Sequence, residues 1–407
     1  MIVRQACRFR LYPASEQRHQ SAAQFGHAHY TYNWCLARRQ AHYKATGTTL
    51  SYYDHKREVT ALKSDPDHLW LKEADSQVLQ AKAEDLEKAY KGFFARGIGF
   101  PHFKSKKDQQ SVRYPQRFRF KDGRIYFPKV GWVPCVFHRE MVGTPKNVTV
   151  SKTPAGNYYV SVQCEREMEP LVHAGPAVGV DVGLKDLAVL STGEKITHPR
   201  HLRKAKKRLA HLQRSLSCKV RGSGNRQKTR LLVARQHEHV ANCRHDTLHK
   251  LSDRLTREYS TIRMENLNIR GMLKNHTLAK GIADSGWGML VSFCQYKAQW
   301  RGGVVEQIDR FYPSTKMCHI CGHKNNTLTL KDREWVCAEC GTVHDRDVNA
   351  AKVILSAPVG MPRALIRQKL PPERRNVKLV ERLSDATAIG RSAGLGEAGS
   401  THASSCG

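Results

Sequence analysis

The sequence predicts a multidomain α/β protein, because three kinds of residue pattern follow one another along its 407 residues. Apolar residues recur at helical spacing in 14–46 and 75–95, and from 111 to 165 they alternate with polar residues as in antiparallel strands. A third pattern begins near Asp181, where short apolar strands alternate with helices, and it ends in a cysteine cluster at 318–340. We therefore expect a helical domain, a small antiparallel β domain, and a larger α/β region that includes a metal-binding segment.

The net charge of the chain indicates the class of its partner. There are 68 Lys and Arg residues against 36 Asp and Glu, a formal charge of +32 at pH 7. Such charge predicts a polyanion, most often nucleic acid, whose binding weakens with salt because condensed counterions are displaced. A solubilising role and an anionic membrane surface are the alternatives. The basic segments extend along the whole chain, which favours nucleic acid.

Cysteine usage and hydropathy predict a cytoplasmic protein. The N-terminal stretch MIVRQACRFRLYP lacks the long apolar core of a secretory signal, and no stretch approaches the 18 apolar residues of a membrane span. Of the twelve cysteines, eight are scattered singly and four cluster at metal-binding spacing. That distribution suits a reducing compartment better than a disulfide framework.

The N-terminal part of the chain predicts strands and helices in a definite order. Residues 1–12 alternate charged and apolar side chains as a strand does, and Asp122-Gly123 and Gly156-Asn157 mark hairpin turns further on. The helix at 75–95 carries one apolar stripe: Leu79, Ala83, Leu86, Tyr90 and Phe93. Basic residues on the polar face of the strands form a row that can follow a phosphate backbone: Arg113, Arg117, Arg119, Lys121 and Arg124.

A second basic region lies in the α/β part of the chain. Residues 199–258 predict two long helices separated by the break 222–225, which contains two glycines. Between Arg200 and Val240 there are thirteen Lys or Arg residues and one acid, Glu238. A solvated helix face normally mixes the two signs of charge. This excess therefore favours a helical hairpin that faces nucleic acid.

Four cysteines predict a structural zinc site. Cys318 and Cys321 form one CxxC pair, Cys337 and Cys340 form a second one fifteen residues later, and a glycine follows each pair. This spacing is typical of a zinc ribbon, in which two tight knuckles present four thiolates to one tetrahedral ion. A closed four-thiolate site serves folding rather than catalysis. Nearby histidines are spare candidate ligands: His319, His323 and His344.

Three acids predict a site for divalent cations. Asp181 lies in the strand VGVDVG. Glu265 is the last residue of the β-rich run TIRME, and Asp347 precedes the helix NAAKVILSA. In the order strand, strand, helix, they suit a ribonuclease H-like core, in which carboxylates hold two Mg²⁺ or Mn²⁺ ions for phosphodiester cleavage. An ordinary edge hairpin with one exposed Asp is the alternative for Asp181. Other acids compete for the same role: Asp186, Asp284 and Asp345.

Motifs over nearly the whole chain carry a family resemblance. They are RLYP with Gln17, TYNWCLARR (31–39), LEKAYKGFF (86–94), GFPHFK (99–104), GVDVGLKDLAV (179–189), MENLN (264–268), DSGWG (284–288), FYPSTKMCHICG (311–322), WVCAECG (335–341) and HDRDVNAA (344–351). The chain resembles the TnpB (OrfB) family of transposon-encoded RNA-guided DNA endonucleases, relatives of miniature type V CRISPR nucleases. One departure is Ser314-Thr315-Lys316, where Ser-Gln is common in the family.

The resemblance implies a RuvC nuclease domain with the zinc ribbon inserted before its last acid. It makes Asp181, Glu265 and Asp347 the ligands of two Mg²⁺ or Mn²⁺ ions, beside one structural Zn²⁺ on the four cysteines. It also implies a noncoding guide RNA from the transposon end, double-stranded target DNA, and recognition of a short motif beside the target by the N-terminal domains. A monomer with one RNA in the prokaryotic cytosol or nucleoid is the expected state.

Five further residues are candidates for contacting nucleic acid. Arg346 and Asn349 flank Asp347, and we expect them to position a phosphate or the metal ligands; a structural role is the alternative for Asn349. Tyr52, Ser76 and Gln80 are candidates for reading the motif beside the target, because a Gln amide suits the edge of an adenine. Polar residues on a helix surface without such a role are the alternative for these three.

The sequence thus predicts five segments and one preferred function. Residues 1–12 and 111–170 form a β-barrel-like (wedge) domain, 13–110 a helical recognition domain, 171–312 and 342–357 the RuvC-like domain, 313–341 the zinc ribbon, and 358–407 a disordered tail. The preferred function is metal-dependent, RNA-guided cleavage of double-stranded DNA. A strand-transferring transposase and a catalytically silent RNA-guided repressor are the alternatives.

Overall fold

The computed structural model describes residues 2–169, 172–329 and 331–358. Its contacts divide the chain into one unit of Met1–Ser356 and a second of Ala357–Gly407. The tail predicted at 358–407 lies outside the described residues except for Pro358. No helix within the described ranges is both long and apolar enough to cross a bilayer.

The N-terminal segment is one strand followed by helices, as the periodicity predicts at 14–46 and 75–95. Its elements are β1 (Ile2–Leu11), α1 (Ser15–Thr46), α2 (Tyr52–Leu62), a 3₁₀ helix (Pro66–Glu73) and α3 (Ser76–Arg96). Gly47 ends α1 with a left-handed φ of 69°, and Asp75 caps α3 by accepting from the main-chain N–H groups of Gln77 and Val78. Helix α2 was not predicted.

A helical core forms where the predicted stripe of α3 meets α1. Leu79, Ala83 and Leu86 are fully buried, in one cluster with Tyr32 and Leu36 of α1. Spacing of three and four residues places the α3 side chains on one face, so the cluster buries that whole face. These aromatic and aliphatic residues therefore serve mainly to pack the helices.

The β domain is one antiparallel sheet that includes β1. Its other strands are β2 (Gln110–Tyr114), β3 (Arg119–Lys121), β4 (Arg124–Phe127), β5 (Gly131–Val136), β6 (Thr144–Lys152) and β7 (Tyr158–Glu167), in the order β2-β6-β7-β1-β5-β4-β3. The predicted turns connect β3 to β4 and β6 to β7, with φ of 69° at Gly123 and 82° at Gly156. Glycine adopts these left-handed angles without steric cost.

This sheet curls strongly, because residues from nearly opposite ends of the strand order touch. The rings of Tyr114 on β2 and Phe127 on β4 lie 5.4 Å apart, and both side chains are buried. In a flat sheet with strands about 4.8 Å apart, five strand intervals would separate β2 from β4 by roughly 24 Å. The sheet therefore wraps around its own core in a barrel-like form, which Phe25 of α1 and Val78 of α3 help to fill.

The second sheet has five strands and mixed direction. Its strands are β8 (Ala177–Asp181), β9 (Asp186–Leu190), β10 (Lys195–Thr197), β11 (Thr261–Glu265) and β12 (Val304–Ile308), in the order β10-β9-β8-β11-β12. β8, β11 and β12 run parallel, and β9 runs antiparallel to β8. β8 lies in the middle of the sheet, so the alternative of an ordinary edge hairpin is wrong.

Helices cover both faces of the second sheet. They are α4 (His201–Ser217), α5 (Gly224–Glu258), α6 (Ile269–Met272), α7 (Ala279–Ser285), α8 (Trp287–Trp300) and α9 (Arg346–Ser356), and a hairpin of β13 (Glu334–Val336) and β14 (Val343–Asp345) precedes α9. The predicted break at 222–225 separates α4 from α5. Leu251 of α5 and Leu290 of α8 pack in one core with Val178 and Val180 of β8. That packing assigns these two helices to one face of β8.

Helix α9 lies against β8 at Gly179. A Cβ atom built on Gly179 would collide with the main-chain oxygen of Ala351 and come within 3.0 Å of the Cβ of Leu355. Side chains alternate between the faces of a strand, so Gly179 and Asp181 share the face opposite Val178 and Val180. The glycine therefore lets the α9 backbone approach the face of β8 that carries Asp181.

We predict that Gly179→Ala destabilises the protein by about 1–3 kcal/mol, the usual cost of forcing an extra group into a packed interior. The matched control is Gly26→Ala within α1, where no heavy atom lies within 4 Å of the position that the added methyl group would take. This control should be neutral or stabilising by up to about 1 kcal/mol, because alanine favours helix. Thermal denaturation of both variants checks the prediction, and equal shifts in melting temperature would contradict it.

Candidate functional site

Two of the predicted acids lie at neighbouring strand ends. Asp181 is the last residue of β8 and Glu265 the last of β11, and the two strands pair in parallel with Val180 opposite Met264. The next residue on each strand is an acid, so both carboxylates leave the sheet at its carboxyl edge. Both residues are partly buried. Apolar periodicity thus predicted each strand, and parallel pairing brings their ends together.

The third acid, Asp347, lies in the first turn of α9. Asp345 caps this helix, because its Oδ1 accepts from the main-chain N–H groups of Asp347 at 3.1 Å and Val348 at 3.0 Å. Lys195 donates to the other oxygen of Asp345 at 2.5 Å. Asp345, a competing candidate ligand, is therefore engaged in starting the helix that carries Asp347.

The three acids act on one another electrostatically. The pKa of Asp181 lies well above its ordinary value, first because burial disfavours the charged form, then because of the carboxylates of Glu265 and Asp347. The guanidinium of Arg346 opposes this effect. Desolvation and like charge together produce a local excess of negative potential, which a divalent cation would neutralise. Perturbed carboxyls of this kind are typical of functional sites.

Each of the other two carboxylates also has hydrogen-bond donors of its own. Ser314 donates its hydroxyl to Glu265 Oε1 at 2.5 Å, and Asp347 accepts from Arg333 and Arg346. In the described residues, no three of the acids have ligand atoms that all lie within 4.8 Å of one another. Like charges repel, which agrees with Glu265 and Asp347 each accepting from a donor beside it. Sequence reasoning did not single out Ser314 or Arg333 as partners of the acids.

The remaining competing acids do not belong to this site. Asp284 is buried, accepts from the main-chain N–H of Leu202 at 3.0 Å in the first turn of α4, and pairs with Arg244 at 3.2 Å. Its role is to join α4, α5 and α7. Asp186 begins β9 and is not among the charges that shift the pKa of Asp181.

The four cysteines converge as their spacing predicts. Their sulfur atoms all lie within 4.8 Å of one another, with 3.7 Å between Cys318 and Cys340 and 3.5 Å between Cys321 and Cys337. A tetrahedral ion with Zn–S bonds of about 2.3 Å requires sulfur separations of about 3.8 Å. The donor set and its dimensions therefore fit one zinc ion, which would hold the two knuckles together.

Hydrogen bonds join α9 to the segment that carries the four cysteines, residues 317–341, which we call the zinc knuckle. Asn349 is buried; its Oδ1 accepts from the main-chain N–H of His319 at 3.0 Å, and its Nδ2 donates to the main-chain oxygen of Met317 at 2.7 Å. This geometry supports the structural alternative for Asn349. His344, a spare candidate ligand, is buried with Nε2 3.1 Å from the sulfur of Cys318.

The N-terminal candidates lie along one surface of α2 and α3. Tyr52 begins α2, and Glu84 and Arg113 act on its pKa, which burial chiefly raises. Ser76 begins α3 and accepts from Lys63 Nζ at 2.6 Å, and Gln80 is partly exposed one turn later. The structure thus places all three on the helices, without showing what they contact outside the protein.

Two members of the predicted basic row are used inside the protein. Arg113 donates to Glu84 at 2.7 Å and to Asp85, and Arg117 pairs with buried Asp75 at 2.8 Å. These ion pairs join the β domain to α3, and they leave Arg113 largely covered, so the prediction of a five-residue phosphate row is wrong for Arg113. Arg117 stays exposed beside its ion pair, and Arg119, Lys121 and Arg124 are exposed as well.

A basic trough runs along α5 on the side turned away from α9. We use this name for two adjoining cavities, of about 980 and 760 Å³, that share Arg8 and His249. Arginines and aromatic rings line it: Arg4, Arg8, Arg139, Arg230, Tyr296 and Trp300. Three acids line it and each has a partner: Asp253 pairs with Arg301 at 2.7 Å, Asp246 pairs with Lys250 at 2.7 Å, and Glu238 accepts from Asn157 at 2.6 Å.

Comparison with known proteins identifies the family. A protein of Streptomyces pristinaespiralis named "Putative RNA-guided DNA endonuclease" is 38% identical over 379 residues, which cover 92% of this chain and 94% of that protein. The chain belongs to the TnpB (OrfB) family. An Escherichia coli K12 member, "Putative RNA-guided DNA endonuclease InsQ", is 34% identical over 371 residues, covering 87% of this chain and 92% of that protein.

Family models match three segments of this TnpB-family chain. The OrfB_IS605 model, described as "Probable transposase", matches 158–276, and the "Cas12f1-like, TNB domain" model matches 287–354, which includes the zinc knuckle. A "Helix-turn-helix domain" model matches 1–48, where the structure has β1 and the single long helix α1. The last match therefore reflects sequence similarity rather than two helices joined by a turn.

The likeness extends to solved structures. The "Cryo-EM structure of the Cas12f1-sgRNA-target DNA complex" aligns with a TM-score of 0.56 and 13% sequence identity, covering 87% of this chain and 98% of that one. At this identity the likeness shows the multidomain α/β fold alone.

We predict one zinc ion per chain, and a lower melting temperature when it is removed. Structural zinc contributes about 10–16 kcal/mol of apparent binding energy in small zinc-finger peptides, so losing a ligand should loosen the knuckle and α9. Cys337→Ser should lose the metal by elemental analysis, whereas Cys218→Ser, at an exposed cysteine after α4, should retain it. Stoichiometric zinc in the Cys337→Ser protein would contradict the assignment.

We predict that Asp181→Asn raises the melting temperature near pH 8 when no divalent cation is added. The raised pKa means that the Asp181 charge destabilises the folded protein once pH exceeds the ordinary carboxyl value of about 4, and that cost disappears at lower pH. We expect a rise of about 2 °C, as ~1 kcal/mol produces in a domain of roughly 200 residues, shrinking towards pH 4. Asp186→Asn is the control, and an increment independent of pH would disprove the cause.

Proposed function

We propose that this chain is a divalent-metal-dependent, RNA-guided endonuclease that cleaves double-stranded DNA beside a short motif. The observation that carries the proposal is the acid cluster on the second sheet, where Asp181 and Glu265 end neighbouring parallel strands and Asp347 begins the helix across them. We assign this sheet, with order β10-β9-β8-β11-β12 and α9 on one face, to the ribonuclease H-like class and its RuvC type. The names of the relatives support the same activity.

The donor set suits hard cations. Carboxylate oxygens are the ligands that Mg²⁺ and Mn²⁺ prefer, and the raised pKa of Asp181 shows negative potential that burial leaves uncompensated. In the proposal Asp181, Glu265 and Asp347 would hold two such ions. Bound there, the ions would supply activation of the attacking water and stabilisation of the leaving oxygen.

The chain's own residues orient these ligands. The hydroxyl of Ser314, which is buried, holds Glu265 by donating to one of its oxygens, and this leaves the other oxygen for a cation. Arg346 lies against Asp347, and its positive charge opposes the rise in the pKa of Asp181 that burial and the two carboxylates cause. The cap at Asp345 sets the direction in which Asp347 leaves the helix. Together these contacts hold the carboxylates of Glu265 and Asp347 in defined orientations before a cation binds.

We propose that guide RNA occupies the basic trough. Arginine side chains there neutralise phosphates, and Tyr296 and Trp300 offer rings on which bases stack. Helices α5 and α8, which line the trough, pack on the face of β8 opposite α9, so the sheet separates the trough from the acids. Nucleic acid bound there would lie on the opposite side of the sheet from the acids, so it would leave the proposed cleavage site open to the DNA strand. One protein chain with one RNA is the proposed complex.

In this proposal the surface of α2 and α3 recognises the short DNA motif beside the target. Tyr52, Ser76 and Gln80 lie along α2 and α3, and a Gln amide can donate to and accept from an adenine edge in the major groove. Base pairing with the guide would read the rest of the target. Arg119, Lys121 and Arg124 on the nearby β domain are exposed to contact the backbone.

Cleavage of plasmid DNA by the purified protein tests the proposal. The chain is expressed with its flanking transposon DNA, the RNA that copurifies is sequenced, and a plasmid that matches the guide is offered with Mg²⁺. Cuts that follow the guide sequence support an endonuclease, and joined strands would indicate the transposase alternative. DNA binding without either product would indicate a repressor.

We predict that Asp181→Ala retains RNA and lowers the cleavage rate at least about 10³-fold, the order of loss seen when a central catalytic group is removed. The control is Asp186→Ala, an acid on the adjoining strand that does not act on Asp181, and it should cut at the rate of the unaltered protein. Cleavage rates are measured with equal amounts of RNA complex. Undiminished cutting by Asp181→Ala would remove this residue from the mechanism.

A further inference from the structure

Arginine side chains occupy both oxygens of the Asp347 carboxylate. Arg346 donates to Oδ1 from Nε at 3.0 Å and from Nη2 at 2.8 Å, and Arg333 donates to Oδ2 from Nη1 at 3.1 Å. Hydrogen bonds between guanidinium and carboxylate groups are charge-assisted and among the stronger ones in proteins. A cation approaching Asp347 must therefore compete with a positive charge that is already bound.

The two arginines differ in freedom. Arg346 lies on α9 with a side chain that is 9% exposed, whereas the side chain of Arg333 is 48% exposed. Arg333 comes from the segment before β13, and its main-chain oxygen accepts from the N–H of Arg346 at 2.8 Å. Its backbone is thus fixed at the start of α9, while its guanidinium lies at the surface and can turn to another anion.

We propose that Arg333 is a positioning residue that exchanges partners when a nucleic-acid strand enters the site. In the protein without nucleic acid, Arg333 holds Asp347 Oδ2; in the complex, it binds a phosphate of the strand and releases that oxygen to a divalent cation. The proposal rests on the function proposed above, because it takes Asp347 as a cation ligand. The planar guanidinium fork matches a phosphate as well as it matches a carboxylate.

Two further observations agree with this exchange. The oxygens of the three acids do not all lie within 4.8 Å of one another, as expected if Asp347 is held towards Arg333. Arg333 also lies outside the five-stranded sheet, directly before β13. Its side chain can therefore turn without disturbing Asp181 or Glu265, which lie on strands of that sheet. Binding of strand and cation must then strengthen each other by the same factor, because such coupling is reciprocal.

Titration of the full-length, zinc-loaded chain with Mn²⁺, followed by electron paramagnetic resonance, tests the proposal. Without nucleic acid, Arg333→Gln should bind Mn²⁺ about tenfold more tightly than the unaltered protein, a factor within the usual range for coupled sites. Arg333→Lys keeps the charge but loses the fork, and should fall between them. Lys331→Gln removes a charge from an exposed side chain two residues away and should change the affinity little.

A nuclease-resistant phosphorothioate oligonucleotide completes the experiment. Adding it should tighten Mn²⁺ binding by the unaltered protein and leave that of Arg333→Gln nearly unchanged, because the variant has no arginine to exchange. Introducing Asp181→Asn into Arg333→Gln should abolish the added affinity, which assigns it to the acid cluster. The melting temperatures of all variants are compared, and Arg333→Lys carries the test if Arg333→Gln does not fold.

Several outcomes would overturn the exchange. One is an Arg333→Gln affinity for Mn²⁺ within twofold of that of Lys331→Gln, and another is an equal response of variant and unaltered protein to the oligonucleotide. These results can occur while guided cleavage is intact, in which case only the role of Arg333 is lost. Failure of the proposed function appears separately, as absence of cutting by the unaltered complex whatever the Mn²⁺ affinities.

Discussion

The position of Asp347 relative to Asp181 depends on residue 179 being a glycine, which has no side chain. At Gly179 the backbone of α9 comes so close to β8 that a methyl group would strike the main chain of Ala351. Asp347, Ala351 and Leu355 are spaced by four residues and share one stripe of the helix. The helix is therefore seated on the strand one to two turns from the acid, and this contact determines how far Asp347 stands from Asp181. A packing constraint, rather than attraction between the acids, brings these like charges together.

What distinguishes the site from other acids in this basic chain is incomplete neutralisation. Asp284 and Asp345 have main-chain and cationic donors around them, and both serve to begin helices. Asp181 is partly buried beside two carboxylates, and among the influences that shift its pKa only Arg346 favours the charged form. Such an arrangement costs stability and persists where function requires it. A deficit of donors therefore distinguishes Asp181 from the other acids described here.

Local patterns allowed much of the fold to be predicted from the sequence. The stripe of α3, the turn at Gly123 and the strand before Asp181 each depend on residues close together in the chain, so their periodicity was sufficient. The roles of Arg113 and Asn349 depend on distant partners, respectively Glu84 and Asp85 on α3 and the main chain of the zinc knuckle. An exposed strand position and a helix-start asparagine look the same in the sequence whether or not such partners exist.

The same limit applies to the acids. Spacing and residue type were enough to nominate Asp181, Glu265 and Asp347, but Asp186, Asp284 and Asp345 satisfied the same criteria. Only the strand order shows which of them share an edge, and only the hydrogen bonds show which are already engaged. The partners Ser314 and Arg333 had no signal of their own, since each contacts its acid across a fold that local pattern does not describe.

The zinc knuckle explains how α9 can be placed accurately after a long insertion. The segment between Ile308 and Arg346 would, without internal order, leave the start of α9 at the end of a long loop with a considerable closure entropy. Four thiolates at zinc-binding separations divide this segment into short turns, and β14 runs directly into the helix. The side chain of Asn349 then joins the helix to the knuckle through two hydrogen bonds with main-chain groups of His319 and Met317. The cysteine cluster thus helps to fix the position of the first turn of α9, and with it the position of the Asp347 carboxylate on that turn.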